Sequence, residues 1–378
     1  MLGPMPFRVF ANPRFGTPRT VLLSDVGFQQ AKAEIISWAG YAVTPLRELA
    51  SLAQAADLGA IWLKDEAGRF GLGSFKALGG AYAVAHVVSA ERSRRGGKAD
   101  GSPITVTCAT DGNHGRAVAW GAQRSGCGCV IFVHEGVSQG RVDAIARYGA
   151  ELRRVPGTYD DAVREASRQA ALHGWVVVSD TSWEGYTEVP GLVMQGYRLM
   201  ADEVADQWDG PPPTHVFIQG GVGGVAAAVA VQLRARFANH PALIVVEPDR
   251  AACLLASAEL GEATAIAGNL DTLMAGLACG EPSLIAWQEL AHAASAFMAI
   301  PDEAAVACMR LLADHGIVGG ESGVAGLAGC LLAAGDPAAH ATLGLDATSR
   351  VLVFNTEGAT DAALYQQLVG RPPHAVDR

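Results

Sequence analysis

Short apolar runs of strand length alternate with stretches of helix length along most of this 378-residue chain, and that alternation restricts its fold more than any other feature. Ala60–Lys64 reads as a strand, with a helix expected over 77–92. Ile104–Ala109, Val130–Val133, Glu151–Val155 and Val176–Val178 read as further strands. Helices are expected between and after them, over 115–124, 141–148, 159–173 and 193–208. A second series begins after the breaker Gly210-Pro-Pro-Pro213, with strands at His215–Gln219, Ala242–Glu247 and Arg350–Asn355. Strands this short and apolar, separated by helices, belong in parallel sheets covered on both faces. The expected architecture is α/β with two doubly wound open-sheet lobes: a large one from 1–85 plus 195–378, and a smaller inserted one from 86–194. Gly268–Glu281 reads as loop, and Arg371–Arg378 as a frayed end.

Composition removes several function classes. A formal charge of −10, with no basic stripe interleaved with aromatics, speaks against a nucleic-acid partner. The first residues, Met1-Leu-Gly-Pro-Met-Pro-Phe-Arg8, lack the charged region and apolar core of a signal peptide. Gly323–Gly335, among the longest apolar stretches, is too short to span a membrane and reads as a buried helix. A cytoplasmic enzyme without a membrane partner is expected. Seven cysteines do not form a disulfide framework, although Cys253 and Cys279, flanking a loop, are candidates for a redox pair. His134-Glu135 ends a strand with no second metal ligand nearby, so no metal site is expected.

The chain has four lysines, Lys32, Lys64, Lys76 and Lys98, and arginine supplies the remaining positive charge. Arginine is not deprotonated in proteins, so it cannot serve as an amine nucleophile. Lys76 lies in the glycine-spaced segment Arg69-Phe-Gly-Leu-Gly-Ser-Phe-Lys-Ala-Leu-Gly-Gly80, where desolvation would free its amine for a carbonyl. It is either a Schiff-base lysine or a surface lysine on a turn.

Ligands of open parallel sheets bind beyond the carboxyl ends of strands, and four unusual segments fall at such ends. Thr110-Asp-Gly-Asn-His-Gly115 offers backbone amides, the amide of Asn113 and the Asp111 carboxylate, or else is a turn with an Asp helix cap. Gly220-Gly-Val-Gly-Gly224 lies between a strand and a helix and suits a phosphate held by backbone amides. Gly221–Ala226 also fits a dinucleotide pattern with Glu247 as ribose partner, so both readings stand. Ser179–Tyr186 carries Asp180, suited to a substrate ammonium, and Trp183, suited to a pocket wall, unless it is a satisfied surface loop. Asn355–Thr360 presents the Thr356 hydroxyl, suited to a ring nitrogen. Lysine, phosphate cup, asparagine and hydroxyl together describe a site for pyridoxal 5'-phosphate. The dinucleotide reading leaves Lys76 and Asp111 without a task.

Ser74-Phe-Lys76, Gly112-Asn-His-Gly115 and Gly220–Gly224 resemble, in order and spacing, the motifs of the fold-type-II pyridoxal-phosphate enzymes. Lys64–Lys76, Ala109–Arg116 and Asp180–Tyr186 resemble more narrowly the diaminopropionate ammonia-lyase branch, over about Phe15–Thr360. The resemblance implies a coenzyme in the cleft between two lobes, bound by Lys76, Asn113, Gly220, Gly221, Val222, Gly223, Gly224 and Thr356. It implies Lys76 and Asp111 as bases for opposite faces of the α-carbon, with Asp180 also catalytic. Thr110, Asp111, His114, Asp180, Trp183 and Glu321 would meet a small amino-acid substrate. The implied reaction is α,β-elimination of D- or L-2,3-diaminopropionate to pyruvate and two ammonia, by a homodimer. The alternatives are a serine, threonine or hydroxyaspartate dehydratase, a β-replacement enzyme, an NAD(P)-dependent oxidoreductase, or a catalytically idle coenzyme-binding or regulatory protein.

Overall fold

The computed structural model describes residues 2–16, 23–96, 103–157 and 159–376. Its strands, in chain order, are β1 (Arg8–Ala11), β2 (Leu46–Glu48), β3 (Ala60–Asp65), β4 (Thr105–Ala109), β5 (Gly128–His134), β6 (Glu151–Val155) and β7 (Val176–Val177). They continue as β8 (His215–Gln219), β9 (Ala242–Pro248), β10 (Ala294–Ile300) and β11 (Arg350–Asn355). The chain divides into two units, the first made of Met1–Leu23, Ala42–Ser74 and Arg198–Arg378, the second of Ser24–Tyr41 and Phe75–Tyr197.

The first unit carries a seven-stranded sheet in the order β1-β10-β9-β8-β11-β3-β2. Its five inner strands run parallel, while β1 and β2 close the edges antiparallel to β10 and β3. All five residues of β8 are buried, as a strand covered on both faces requires. Phe217, Phe297 and Phe354 are almost wholly enclosed, and burying each such side chain stabilises by about 1.5–3 kcal/mol. The antiparallel edges and β10 are additions to the expected strands. β10 follows the alanine-rich helix Leu284–Ala293 without a break, so composition did not separate them. Val376, expected in a frayed end, follows a short 3-10 turn at Pro373–Ala375 and packs into this unit's core.

The second unit holds a four-stranded, all-parallel sheet in the order β6-β5-β4-β7. Val130 and Phe132 of β5 bury against Ala162 and Ala166 of the helix Tyr159–His173. This unit also takes Ser24–Tyr41 and starts at Phe75, so the segment 75–85 does not belong with the large lobe as expected. The reason is close helix packing. The helix Ala77–Arg94 meets the helix Glu188–Gln207 where a Cβ on Gly79 would come within 2.5 Å of the Val193 carbonyl oxygen. A Cβ on Gly196 would come within 2.0 Å of the Leu78 carbonyl oxygen. Only glycine permits such backbone approach.

Candidate active site

In the second unit Lys76 occupies the N-cap position of the helix Ala77–Arg94. The backbone contact at Gly79 and Gly196 sets where that helix starts, and hence where the amine projects. Lys76 Nζ donates to Asp180 Oδ2 at 2.5 Å and lies over the rings of Phe75 and Tyr197. His114 Nδ1 stands 3.7 Å from the same carboxylate oxygen, while its Nε2 meets the Val178 carbonyl at 2.8 Å. Burial pushes the Asp180 carboxyl up, but the pull of His114 and Lys76 more than reverses it and holds it well below the usual range. Burial also pushes His114 below its ordinary 6.5, partly offset by Asp180. An amine, a carboxylate and an imidazole thus converge in the second unit.

Asp111 follows β4 at the entry to the helix Asn113–Ser125. It does not cap that helix with its side chain; His134 Nε2, at the end of β5, lies 2.8 Å from Asp111 Oδ1. Thr110 supplies the cap-like contacts instead, its hydroxyl accepting from the amides of Gly112 and Gly115 at 3.0 Å. Asn113 Oδ1 accepts from Arg116 at 2.6 Å. Trp183 stacks on Tyr186 with ring centroids 4.3 Å apart and lines an apolar groove with Ala170, Trp175 and Val177. Lys76, Asp111 and Asp180 are not among the residues lining that groove.

In the first unit the loop Gly220–Gly224 joins β8 to the helix Gly224–Arg236. Among the described residues the amides of Gly221, Val222, Gly223 and Gly224 meet no acceptor, and Gly223 adopts φ +95°. A Cβ on Gly221 would come 3.2 Å from Cys279 Sγ. Orphan amides at a helix N-terminus, in a loop where neighbouring atoms crowd Gly220 and Gly221, fit a phosphate group. The Thr356 hydroxyl accepts from Gln219 Nε2, which leaves its own O–H to donate. Glu321 is buried in a turn whose next residue, Ser322, donates its amide to Glu357 Oε1 at 2.9 Å.

Glu247, the ribose partner of the dinucleotide alternative, is fully buried and already engaged. Its two oxygens accept from the amides of Leu254 and Leu255, both at 2.8 Å, at the start of the helix Cys253–Leu260. Burial pushes its carboxyl up to about 8 against these amide bonds. All seven cysteines are free thiols, Cys253 and Cys279 included. Among the described residues no cluster of His, Cys, Asp and Glu could hold a metal ion, and no helix is long and apolar enough to cross a membrane.

Lys64, Glu66, Arg69 and Glu203 form a buried ionic cluster in the first unit. Arg69 donates to Glu66 and Glu203 with contacts of 2.7–2.8 Å, and Lys64 pairs with Glu203 at 2.7 Å. Arg69 opens the turn Arg69–Gly71, and Gly73 continues it by accepting from the Gly358 amide at 2.9 Å. Sequence reasoning missed this cluster. Its one visible signal was an arginine among apolar and glycine residues just ahead of Lys76.

Parallel sheets, a lysine held by a carboxylate, and orphan amides at a helix start define a pyridoxal-phosphate enzyme of fold type II. The chain belongs to the pyridoxal-phosphate dependent enzyme family, whose model matches residues 38–356. It is 41% identical over 360 residues to the diaminopropionate ammonia-lyase of Escherichia coli (strain K12), covering 89% of this chain and 90% of that one. The structure of the holo diaminopropionate ammonia lyase from Escherichia coli superposes with a TM-score of 0.90 at 38% identity, covering 98% of each chain. The same enzyme in complex with an aminoacrylate-PLP azomethine reaction intermediate superposes with a TM-score of 0.88 at 39% identity, covering 96% of this chain and 97% of that one.

Proposed function

We propose that this chain is a carbon–nitrogen lyase that eliminates ammonia from 2,3-diaminopropionate, releasing pyruvate and a second ammonia. The observation that carries this reading is the Lys76–Asp180 pair at 2.5 Å, in a chain 41% identical to diaminopropionate ammonia-lyase. Pyridoxal phosphate, when bound, supplies an electron sink that acidifies the α-C–H bond of an amino acid. Gly220–Gly224 would hold its phosphate through orphan amides, Thr356 would donate to its ring nitrogen, and Asn113 would meet its ring oxygen. A neutral hydroxyl donor leaves that nitrogen without a proton, which suits elimination more than transamination.

Lys76 is the residue that would bind the coenzyme carbonyl, and Lys76 and Asp111 would take the α-proton of opposite enantiomers. Asp180 already binds one ammonium, that of Lys76, so the β-ammonium of the substrate is a chemical match for it. A β-ammonium leaves as neutral ammonia and needs no further acid. His114, fixed by its Nε2 contact with the Val178 carbonyl and pushed below its ordinary 6.5 by burial, borders Asp180. Thr110 and Glu321 support the loops, and Trp183 borders them. Seven free thiols support a reducing, cytoplasmic setting, and the homodimer rests on family resemblance alone.

The test is 2-oxo-acid release, pyruvate from D- and L-diaminopropionate and D- and L-serine and 2-oxobutyrate from threonine. Turnover of diaminopropionate at the higher kcat/KM supports the reading. Turnover of serine or threonine alone would make the chain a dehydratase, and trapping by an added nucleophile without pyruvate release would make it a β-replacement enzyme.

A further inference from the structure

His134 has no part in the scheme above, yet among the described residues it makes the one side-chain contact recorded for the Asp111 carboxylate, at 2.8 Å on Oδ1. β4 and β5 run parallel in a register that pairs Ala109 with Phe132, so the loop after β4 and the end of β5 come together at Asp111 and His134. The other ring nitrogen, Nδ1, lies 3.1 Å from the Gly136 amide. An amide N–H can only donate, so Nδ1 carries the lone pair and the neutral ring must bear its proton on Nε2. That proton points at Oδ1. Gly136 is fitted to the ring as well: a Cβ there would come 2.9 Å from His134 Cε1.

We propose that His134 is a positioning residue, holding Asp111 through Oδ1 so that Oδ2 is presented as the proton acceptor for one enantiomer of the substrate. This rests on the reading of Asp111 as one of two bases. Both side chains are partly exposed, at 25% and 23%, so the pair is reachable by a substrate. The charged groups facing His134 are Asp111 from the β4 loop, Glu135 beside it and Arg154 from β6. Arg141 from the helix Gln139–Ala146 approaches the Asp111 carbonyl at 3.5 Å. The Asp111 hydrogen bond, opposed by burial, raises the imidazole above 6.5. Below that value an imidazolium would pair with the carboxylate and compete with the α-proton, so activity toward the Asp111-dependent isomer should fall in acid before the other does.

The experiment measures kcat/KM for D- and L-diaminopropionate in holoenzyme carrying His134→Ala, His134→Gln or Asp111→Asn, with imidazole 15N NMR of the unsubstituted protein. His134→Ala is expected to lower one isomer by about ten- to a hundred-fold, the range seen when an orienting partner is lost, and to spare the other. His134→Gln keeps a donor N–H and should recover part of the loss while abolishing the isomer-specific acid limb. The NMR should show the Nε2–H tautomer, with a pKa that drops in Asp111→Asn. Equal loss of both isomers in the two His134 variants, no loss in either, or an Nδ1–H tautomer would overturn the proposal. If Asp111→Asn loses both isomers equally, the two-base reading falls, and the His134 role falls with it. If Asp111→Asn loses one isomer and His134→Ala none, only the His134 role falls.

Discussion

Lys76 Nζ and Asp180 Oδ2 lie 2.5 Å apart, although 104 positions separate the two residues in sequence. The carboxylate is held ionised by this partner and by His114 despite its burial. On the proposed reading the same carboxylate would also meet the ammonium of a substrate, and the consequences are measurable.

Lys76→Ala should abolish the visible, borohydride-reducible band of the holoenzyme together with pyruvate release. Phosphate-loop binding of the coenzyme should survive in weakened form, because the Gly220–Gly224 amides are untouched. Ultrafiltration with pyridoxal phosphate checks the second point. A reducible band that persisted in Lys76→Ala would remove Lys76 from its assigned role.

Asp180→Asn keeps the shape and removes the charge. Its kcat/KM for diaminopropionate should fall by about a hundred-fold or more, on the order of the 2–5 kcal/mol lost when one partner of a buried charge pair is removed. Any activity on serine, which has no second ammonium, should fall less. Parallel losses on both substrates would show that Asp180 does not read the β-ammonium.

Glu247→Gln should lower stability by about 1–3 kcal/mol, because an NH2 group would face one of the two amides at Leu254 and Leu255. Thermal unfolding measures it. Coenzyme spectrum and substrate preference should be unchanged, since the carboxylate caps a helix. A change in nicotinamide-nucleotide binding would instead revive the dinucleotide reading.

The buried cluster makes stability depend on pH. Burial raises the Glu203 carboxyl, but its hydrogen bonds and attraction to Arg69, aided by Lys64, bring it below its ordinary 4.5. A carboxyl depressed in the folded state adds stability that is fully present above the unfolded value and is lost as pH falls through the folded one. Melting temperature should therefore decline below pH 4.5, and Glu203→Gln should flatten part of that decline. Arg69→Met, which leaves Glu66 and Glu203 without their guanidinium, should cost about 3–5 kcal/mol at neutral pH. A melting curve independent of pH down to the acid transition would contradict the linkage.

The strands β3, β6, β8 and β11 and the helix Tyr159–His173 were legible because each is a compact run bounded by breakers. β1 and β2 were not, because a short antiparallel edge strand carries too few residues to show a period. Lys76 stood out by scarcity, and the glycine loop by its place between a strand and a helix. Glu247 shows the opposite case: its spacing matched a ribose partner, and only the packing of the helix Cys253–Leu260 against it revealed a cap.

Local pattern alone determined that this chain builds parallel sheets and carries an amine, a glycine loop and acidic loops at strand ends. Which side chains meet was decided only by tertiary structure. The β4–β5 register joins Asp111 to His134, and the glycine contact at Gly79 and Gly196 seats the helix that begins at Lys76. Periodicity and composition are properties of neighbours in sequence. Hydrogen bonds such as Lys76–Asp180 depend on backbone approach between distant segments, where a single missing Cβ decides whether the groups touch.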